Sequence, residues 1–176
     1  MAIRTTLTAL FAACSAFLAS CASSPGLASA KTYRNGHVDG ATYYKVRTTA
    51  YSHVEADSLK YGVKNASGTN LKYGRVRSAA SDWSVFPLGT VFQIEGEPYI
   101  YQIDDYGSAL VGTKTIDLYR PSMNGIKQWG ARNVKIKVLK WGSYARSMAI
   151  LGDRTKHFHV KKMAVGIRKK LSNGKG

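Results

Sequence analysis

Ten Asp and Glu residues stand against 26 Lys and Arg in this 176-residue chain. Three of the ten, Asp104, Asp105 and Asp117, fall within fourteen positions. Carboxyl groups held close together are candidates for acid–base work, because a positioned side chain can give or take a proton at a reacting group. Aspartates also serve turns, where the side chain bonds nearby backbone. Spacing alone leaves both readings open. His157 and His159 place two imidazoles on one face of an extended segment. No third ligand stands at a workable spacing, so no metal site and no cofactor is expected. His53, near Glu55 and Asp57, either lines a cleft or sits in a solvated loop. No Ser-His-Asp order, phosphate loop or dinucleotide fingerprint is present.

Short strands must position these residues. Eleven tyrosines and seventeen glycines favour a strand-and-turn protein. Tyr43, Tyr44, Val46, Thr48, Thr49 and Tyr51 mark a first strand. The polar stretch Ser52–Gly74 has no period and reads as a long surface loop, a common place for function. Further strands fit Arg75–Ala80, Thr90–Glu95, Tyr99–Asp104 and Thr115–Arg120. The break Gly96-Glu97-Pro98 makes a hairpin of the middle two. Pro121–Gly130 opens with proline and closes with glycine, the pattern of a short helix. Val134, Ile136 and Val138 then alternate with lysines, a half-buried closing strand. About six strands and one helix in roughly 100 residues point to one small closed barrel.

The ends of the chain differ from its middle. Arg4 is the only charged residue before Lys31. The apolar run from Leu7 to about Leu18 is short for a membrane span and reads as the core of an export signal. Leu18-Ala19-Ser20-Cys21 looks like a lipobox, which makes Cys21 the lipidated residue. Ala28-Ser29-Ala30 offers a rival cleavage site and a secreted product. The expected organisation is a signal over 1–20, a tether over 21–40, a barrel over 41–141 and a basic extension over 142–176. Cys14 and Cys21 both lie in the export segment, so no disulfide is expected in the barrel. The extension holds nine Lys or Arg and one Asp, a net +8. Val160, Met163, Ala164, Ile167 and Leu171 recur there at helical spacing. That fits a basic helix lying on an anionic surface, a helix packed on the barrel, or a disordered tail. The overall +16 calls for a polyanionic or anionic partner. Nucleic acid, anionic lipid and the carboxylates of the bacterial wall all qualify, and export disfavours a specific nucleic-acid role.

Four segments, in order, carry a family resemblance. They are Ser81-Asp82-Trp83-Ser84-Val85-Phe86-Pro87-Leu88-Gly89-Thr90, Ile103-Asp104-Asp105-Tyr106-Gly107-Ser108-Ala109-Leu110-Val111-Gly112, Thr115-Ile116-Asp117-Leu118-Tyr119, and Gln128-Trp129-Gly130-Ala131-Arg132-Asn133-Val134 with Val138-Leu139. Together they resemble the three-aspartate (3D) domain family, which is similar to the catalytic barrel of the membrane-bound lytic transglycosylase A family. On this resemblance the three aspartates are Asp82, Asp105 and Asp117. One extra residue separates Asp105 from Asp117, at the Gly112–Lys114 turn.

The resemblance implies an all-β, six-stranded double-psi β-barrel and a peptidoglycan lytic transglycosylase. It implies Asp117 as catalytic acid/base and Asp105 as its partner, with Asp82 nearer the structural side. Tyr51, Asp82, Thr90, Tyr106 and Gly107 are the candidate substrate-binding residues. Trp83 is a candidate for sugar stacking or for the core. Such an enzyme needs a protonated acid at neutral pH, and burial beside anionic Asp105 would raise the pKa of Asp117. The implied partners are peptidoglycan glycan strands and a membrane reached through the lipid anchor. The implied location is the cell envelope, with the outer membrane preferred. The alternative is a non-catalytic wall-binding lipoprotein on the same barrel.

Overall fold

The computed structural model describes residues 42–56 and 58–174. The expected export signal, Cys21, the tether, the rival site at Ala30, and Asp57 lie outside the described residues. Six strands form one sheet: β1 (Thr42–Tyr51), β2 (Val76–Ala80), β3 (Val91–Ile94), β4 (Ile100–Asp105), β5 (Ile116–Tyr119) and β6 (Arg132–Lys140). Their order is β1-β5-β2-β4-β3-β6, with β6 returning to β1, so the sheet closes as a barrel. Two neighbouring pairs, β1 with β5 and β2 with β4, run parallel. The long segment 52–75 links β1 to β2, which lie on either side of β5. The hairpin expected at Gly96-Glu97-Pro98 joins β3 to β4. β6, the predicted closing strand, pairs with β1 on one side and β3 on the other.

Apolar side chains from the strands form the core. Ile94, Ile103, Ile116, Leu118, Ile136 and Val138 are buried. Phe92 and Tyr101 stack across the β3–β4 pair with ring centroids 5.4 Å apart. β2 is the most enclosed strand. Ser78, Ala79 and Ala80 are all buried, so neither face is left to solvent. Small side chains suit a strand covered on both sides.

The expectation of one short helix is corrected to three α-helices among the described residues. The first, α1, runs Met123–Trp129 and starts later than the proline. Ser122 is its cap, with Oγ accepting from the Gly125 N–H at 3.2 Å. The basic extension folds as α2 (Tyr144–Leu151) and α3 (Phe158–Ser172). Val160, Met163, Ala164 and Ile167 of α3 are fully buried, and they join the core around Trp83, Phe86 and Leu88. Full burial of a side chain such as Val, Met or Ile is worth roughly 1.5–3 kcal/mol, enough for this stripe to fix the helix. The lysines and arginines Lys161, Lys162, Arg168 and Lys169 take the exposed face.

Two glycines allow the close approaches this packing needs. At Gly142 a Cβ would collide with the backbone of Pro87, Leu88 and Thr90, where the chain leaves β6. At Gly166 a Cβ would lie 2.6 Å from Ser84 Cβ, so α3 seats directly on the turn after β2. Among the described residues no helix is long and apolar enough to cross a membrane.

Candidate active site

The sheet register brings two of the three aspartates together. Ala80 on β2 pairs with Asp105 on β4 at one side and with Asp117 on β5 at the other. The backbones of the two acids are therefore two strand spacings apart, about 10 Å. Both line one cleft of about 1060 Å³. Tyr51, Tyr106 and Gly107 line the same cleft.

The two carboxyl groups are held differently. Asp105 Oδ1 accepts from the backbone N–H of Ala66 at 3.0 Å and of Tyr106 at 2.9 Å. Its Oδ2 accepts from the Tyr51 hydroxyl at 3.2 Å. Burial pushes its pKa up to about 6, while the two backbone donors pull it down, Asp104 raises it and the Tyr51 bond lowers it. Asp117 Oδ1 accepts from the Thr49 hydroxyl at 2.7 Å, across the β1–β5 pair. Burial again pushes the pKa to about 6, against the Thr49 bond, with Glu55 raising it and Arg47 lowering it. The like charge acting on Asp117 is thus Glu55 rather than the expected Asp105. Burial holds the Tyr51 phenol well above its ordinary range, with Asp105, Asp104 and Asp117 adding to the effect. It is a neutral donor at any physiological pH.

Asp104, next to Asp105, faces elsewhere. It is buried, its Oδ2 lies 2.7 Å from Lys72 Nζ and accepts from Ser78 Oγ at 2.7 Å. The β2–β4 register skips Asp104 between the Ala79–Ile103 and Ala80–Asp105 pairs, and the pair Asp104-Asp105 serves one structural and one cleft position.

Other expectations move away from the cleft. Asp82 is buried, and its carboxylate accepts from Ser84 N–H and Oγ and from Gly112 N–H, all within 2.7–2.8 Å. It ties the turn after β2 to the exposed Gly112 turn and leaves no acceptor facing the cleft. Thr90 is also buried, donating to the Pro87 carbonyl at 2.7 Å and accepting from Gly142 N–H at 3.1 Å. Neither lines this cleft, and both are tied into turns of the fold. Trp83 is in the core. Its indole N–H donates to the Asp105 carbonyl at 2.9 Å, and its ring meets Tyr106 edge-on at 5.0 Å.

The long loop supplies a second wall. His53 and Glu55 both line the cleft. Glu55 Oε2 accepts from Ser52 N–H at 2.7 Å, which closes a turn just after β1. His53 Nδ1 lies 2.7 Å from the Tyr119 hydroxyl. Asn65 Oδ1 takes bonds from Thr69 N–H and Ser67 Oγ, folding 65–69 into a turn that presents the Ala66 N–H to Asp105. The Ala66 carbonyl in turn accepts from Arg154 Nη1 at 2.9 Å.

Arg154, His157 and His159 of the C-terminal extension complete the lining. The wall contributed by Lys60, Lys64, Ala66 and Arg154 escapes sequence reasoning, because no spacing signal connects residue 154 to residue 66. Among the described residues no three His, Cys, Asp or Glu side chains come together as metal ligands.

Residues 77–140 match the family model described as the 3D domain, so this stretch of the chain is a 3D domain. The chain is similar to "Putative cell wall shaping protein YabE" of Bacillus subtilis (strain 168), 35% identical over 96 residues. That match covers 54% of this chain and 23% of the relative. Among solved structures, the chain is similar to the crystal structure of MltA from E. coli, 28% identical with a TM-score of 0.38. The match covers 46% of this chain and 28% of that one. The chain therefore spans less than a third of either protein's length.

Proposed function

We propose that this chain is a peptidoglycan lytic transglycosylase, with Asp117 as acid/base and Asp105 as its partner. The observation that carries the reading is the pair of half-buried aspartates flanking Ala80 in one cleft, each with its pKa raised to about 6. The 3D domain and the cell-wall role in the relative's name support the substrate class. A double-psi path of the six strands agrees with the two parallel pairs in the sheet.

Cleaving a glycosidic bond requires a proton on the leaving oxygen. Asp105 has three donors around its carboxylate, and each favours its anion. Asp117 has one, from Thr49, and is the better proton carrier. Asp117 protonates the glycosidic oxygen as the C–O bond breaks. The same carboxylate then takes the proton from the muramyl 6-hydroxyl as that oxygen closes onto the anomeric carbon. The products are a free 4-hydroxyl and a 1,6-anhydro ring. No water is consumed, so no second carboxylate has to activate one. Tyr51 and the backbone donors keep Asp105 charged beside the positive charge that develops on the sugar.

The export reading puts this chemistry in the cell envelope. Cys21 is proposed as the lipid anchor, and fractionation of a Cys21→Ser variant with the soluble envelope proteins is the expected sign.

The test is mass spectrometry of soluble products after incubation with purified sacculi. Wild type should release anhydro-muropeptides, and Asp117→Asn should release none. Release by the variant would reject the assignment of Asp117. Reducing-end products would make the enzyme a hydrolase. Sedimentation with sacculi and no release by wild type would leave a wall-binding protein.

A further inference from the structure

The cleft carries two kinds of charge. Asp105, Asp117 and Glu55 are half-buried in its lining. Lys60, Lys64 and His157 line it from exposed positions, and Arg154 and His159 from half-buried ones. All six cationic or titratable nitrogen groups of the lining, with half-buried His53 as the sixth, come from outside residues 77–140, the stretch that matches the family model.

Arg154 is fixed in place. One guanidinium N–H is spent on the Ala66 carbonyl, and a guanidinium has five donors in all. His157 and His159 stack with ring centroids 5.8 Å apart, and His159 rests 6.2 Å from the Tyr106 ring. Tyr106 follows Asp105 in sequence and shares its cleft. The extension therefore brings its nitrogen donors to the side of the cleft where Asp105 stands.

This pattern is selective. A ligand negatively charged throughout would be repelled by the three acids. A neutral ligand would leave the cations without a partner. A neutral body with one pendant carboxylate spares the acids and gives the cations a partner. Arginine is the side chain best shaped for that group, because its fork matches a carboxylate with two parallel charge-assisted bonds.

We propose that Arg154, with His157, His159, Lys60 and Lys64, forms a subsite for a carboxylate carried on the glycan strand. This rests on reading the cleft as a glycan site. Two sources present such a carboxylate: the lactyl group of a strand stripped of peptide, and the stem peptide of a substituted strand.

The experiment is calorimetric binding of the full chain to three glycans of equal length. A chitin oligosaccharide has no carboxylate, a stripped strand has the lactyl group, and a substituted strand has the peptide. At least one carboxylated glycan should bind about tenfold tighter than the neutral one, and the tighter of the two names the source. Arg154→Gln should erase most of that margin. A Lys64→Gln/His157→Gln variant, which keeps the Arg154–Ala66 bond, should reduce it by about threefold with an unchanged melting temperature. Equal binding of all three glycans overturns the subsite, as does a margin unchanged in both variants or no binding to any glycan. Cleavage is read separately. A chain that prefers carboxylated glycan yet releases no anhydro product sinks the transglycosylase reading alone. One that cleaves without preference sinks the subsite alone.

Discussion

Replacing Asp117 with Asn should stabilise the fold while it abolishes turnover. The folded chain holds this carboxyl at a pKa of about 6, against 3.8 ordinarily, chiefly because burial penalises the anion. A pKa difference of one between the folded and unfolded chain is worth about 1.36 kcal/mol, so the folded state bears up to about 3 kcal/mol when the group is ionised. Water still reaches the half-buried side chain, and screening reduces the expected cost to about 1–2 kcal/mol. The sign follows from proton binding. The folded state binds the proton more tightly than the unfolded state, so the associated stability is fully present below about pH 3.8. It is lost as pH rises through about 6. Asparagine has no charge to ionise and still offers an oxygen to the Thr49 hydroxyl, now 2.7 Å from Asp117 Oδ1. With a urea dependence of about 1.5 kcal/mol per molar, the unfolding midpoint of the variant should rise by about 1 M at pH 7.5. At pH 4 the gain should shrink to a few tenths of a kcal/mol. Tryptophan fluorescence in urea at the two pH values measures both. Equal midpoints at pH 7.5, or a gain that persists undiminished at pH 4, would refute the claim that Asp117 is held under electrostatic cost.

On the catalytic reading, kcat/KM for soluble glycan should fall tenfold per pH unit above about pH 6, as Asp117 loses its proton; a rate flat from pH 6 to 8 would exclude it as the acid. Gly166→Ala should lower stability by about 1–3 kcal/mol in a urea titration, because its methyl would lie 2.6 Å from Ser84 Cβ and push α3 off its seat. An unchanged midpoint would show that the turn after β2 gives way freely.

The barrel is legible in the sequence because its strands carry their signals locally. The lysine–valine alternation of β6 and the break at Gly96-Glu97-Pro98 each report a nearby partner or turn. The start of α1 is less legible, since Pro121 advertises a helix while the Ser122 side chain sets where it begins. For α2 a local signal exists. Ser143 caps it, with Oγ accepting from Arg146 N–H, but the density of positive charge points equally to a tail. The motif words locate Asp105 and Asp117 and also Asp82, yet only register shows that the first two share a cleft. The contacts of Ala66 lie beyond any pattern in the chain, because they join residues 39 and 88 positions away. The identity of the like charge acting on Asp117 is likewise hidden, since Glu55 reaches it from a segment without periodicity.

A ring of six strands in which each member is bonded on both flanks has a consequence for assembly. Such a ring has no edge strand on which a foreign strand could readily grow, so crowding many copies together gives little template for their fusion. Among the described residues, the surfaces left for a partner are loops, helices and side chains. Those parts can vary in length and sequence while the ring beneath them stays intact.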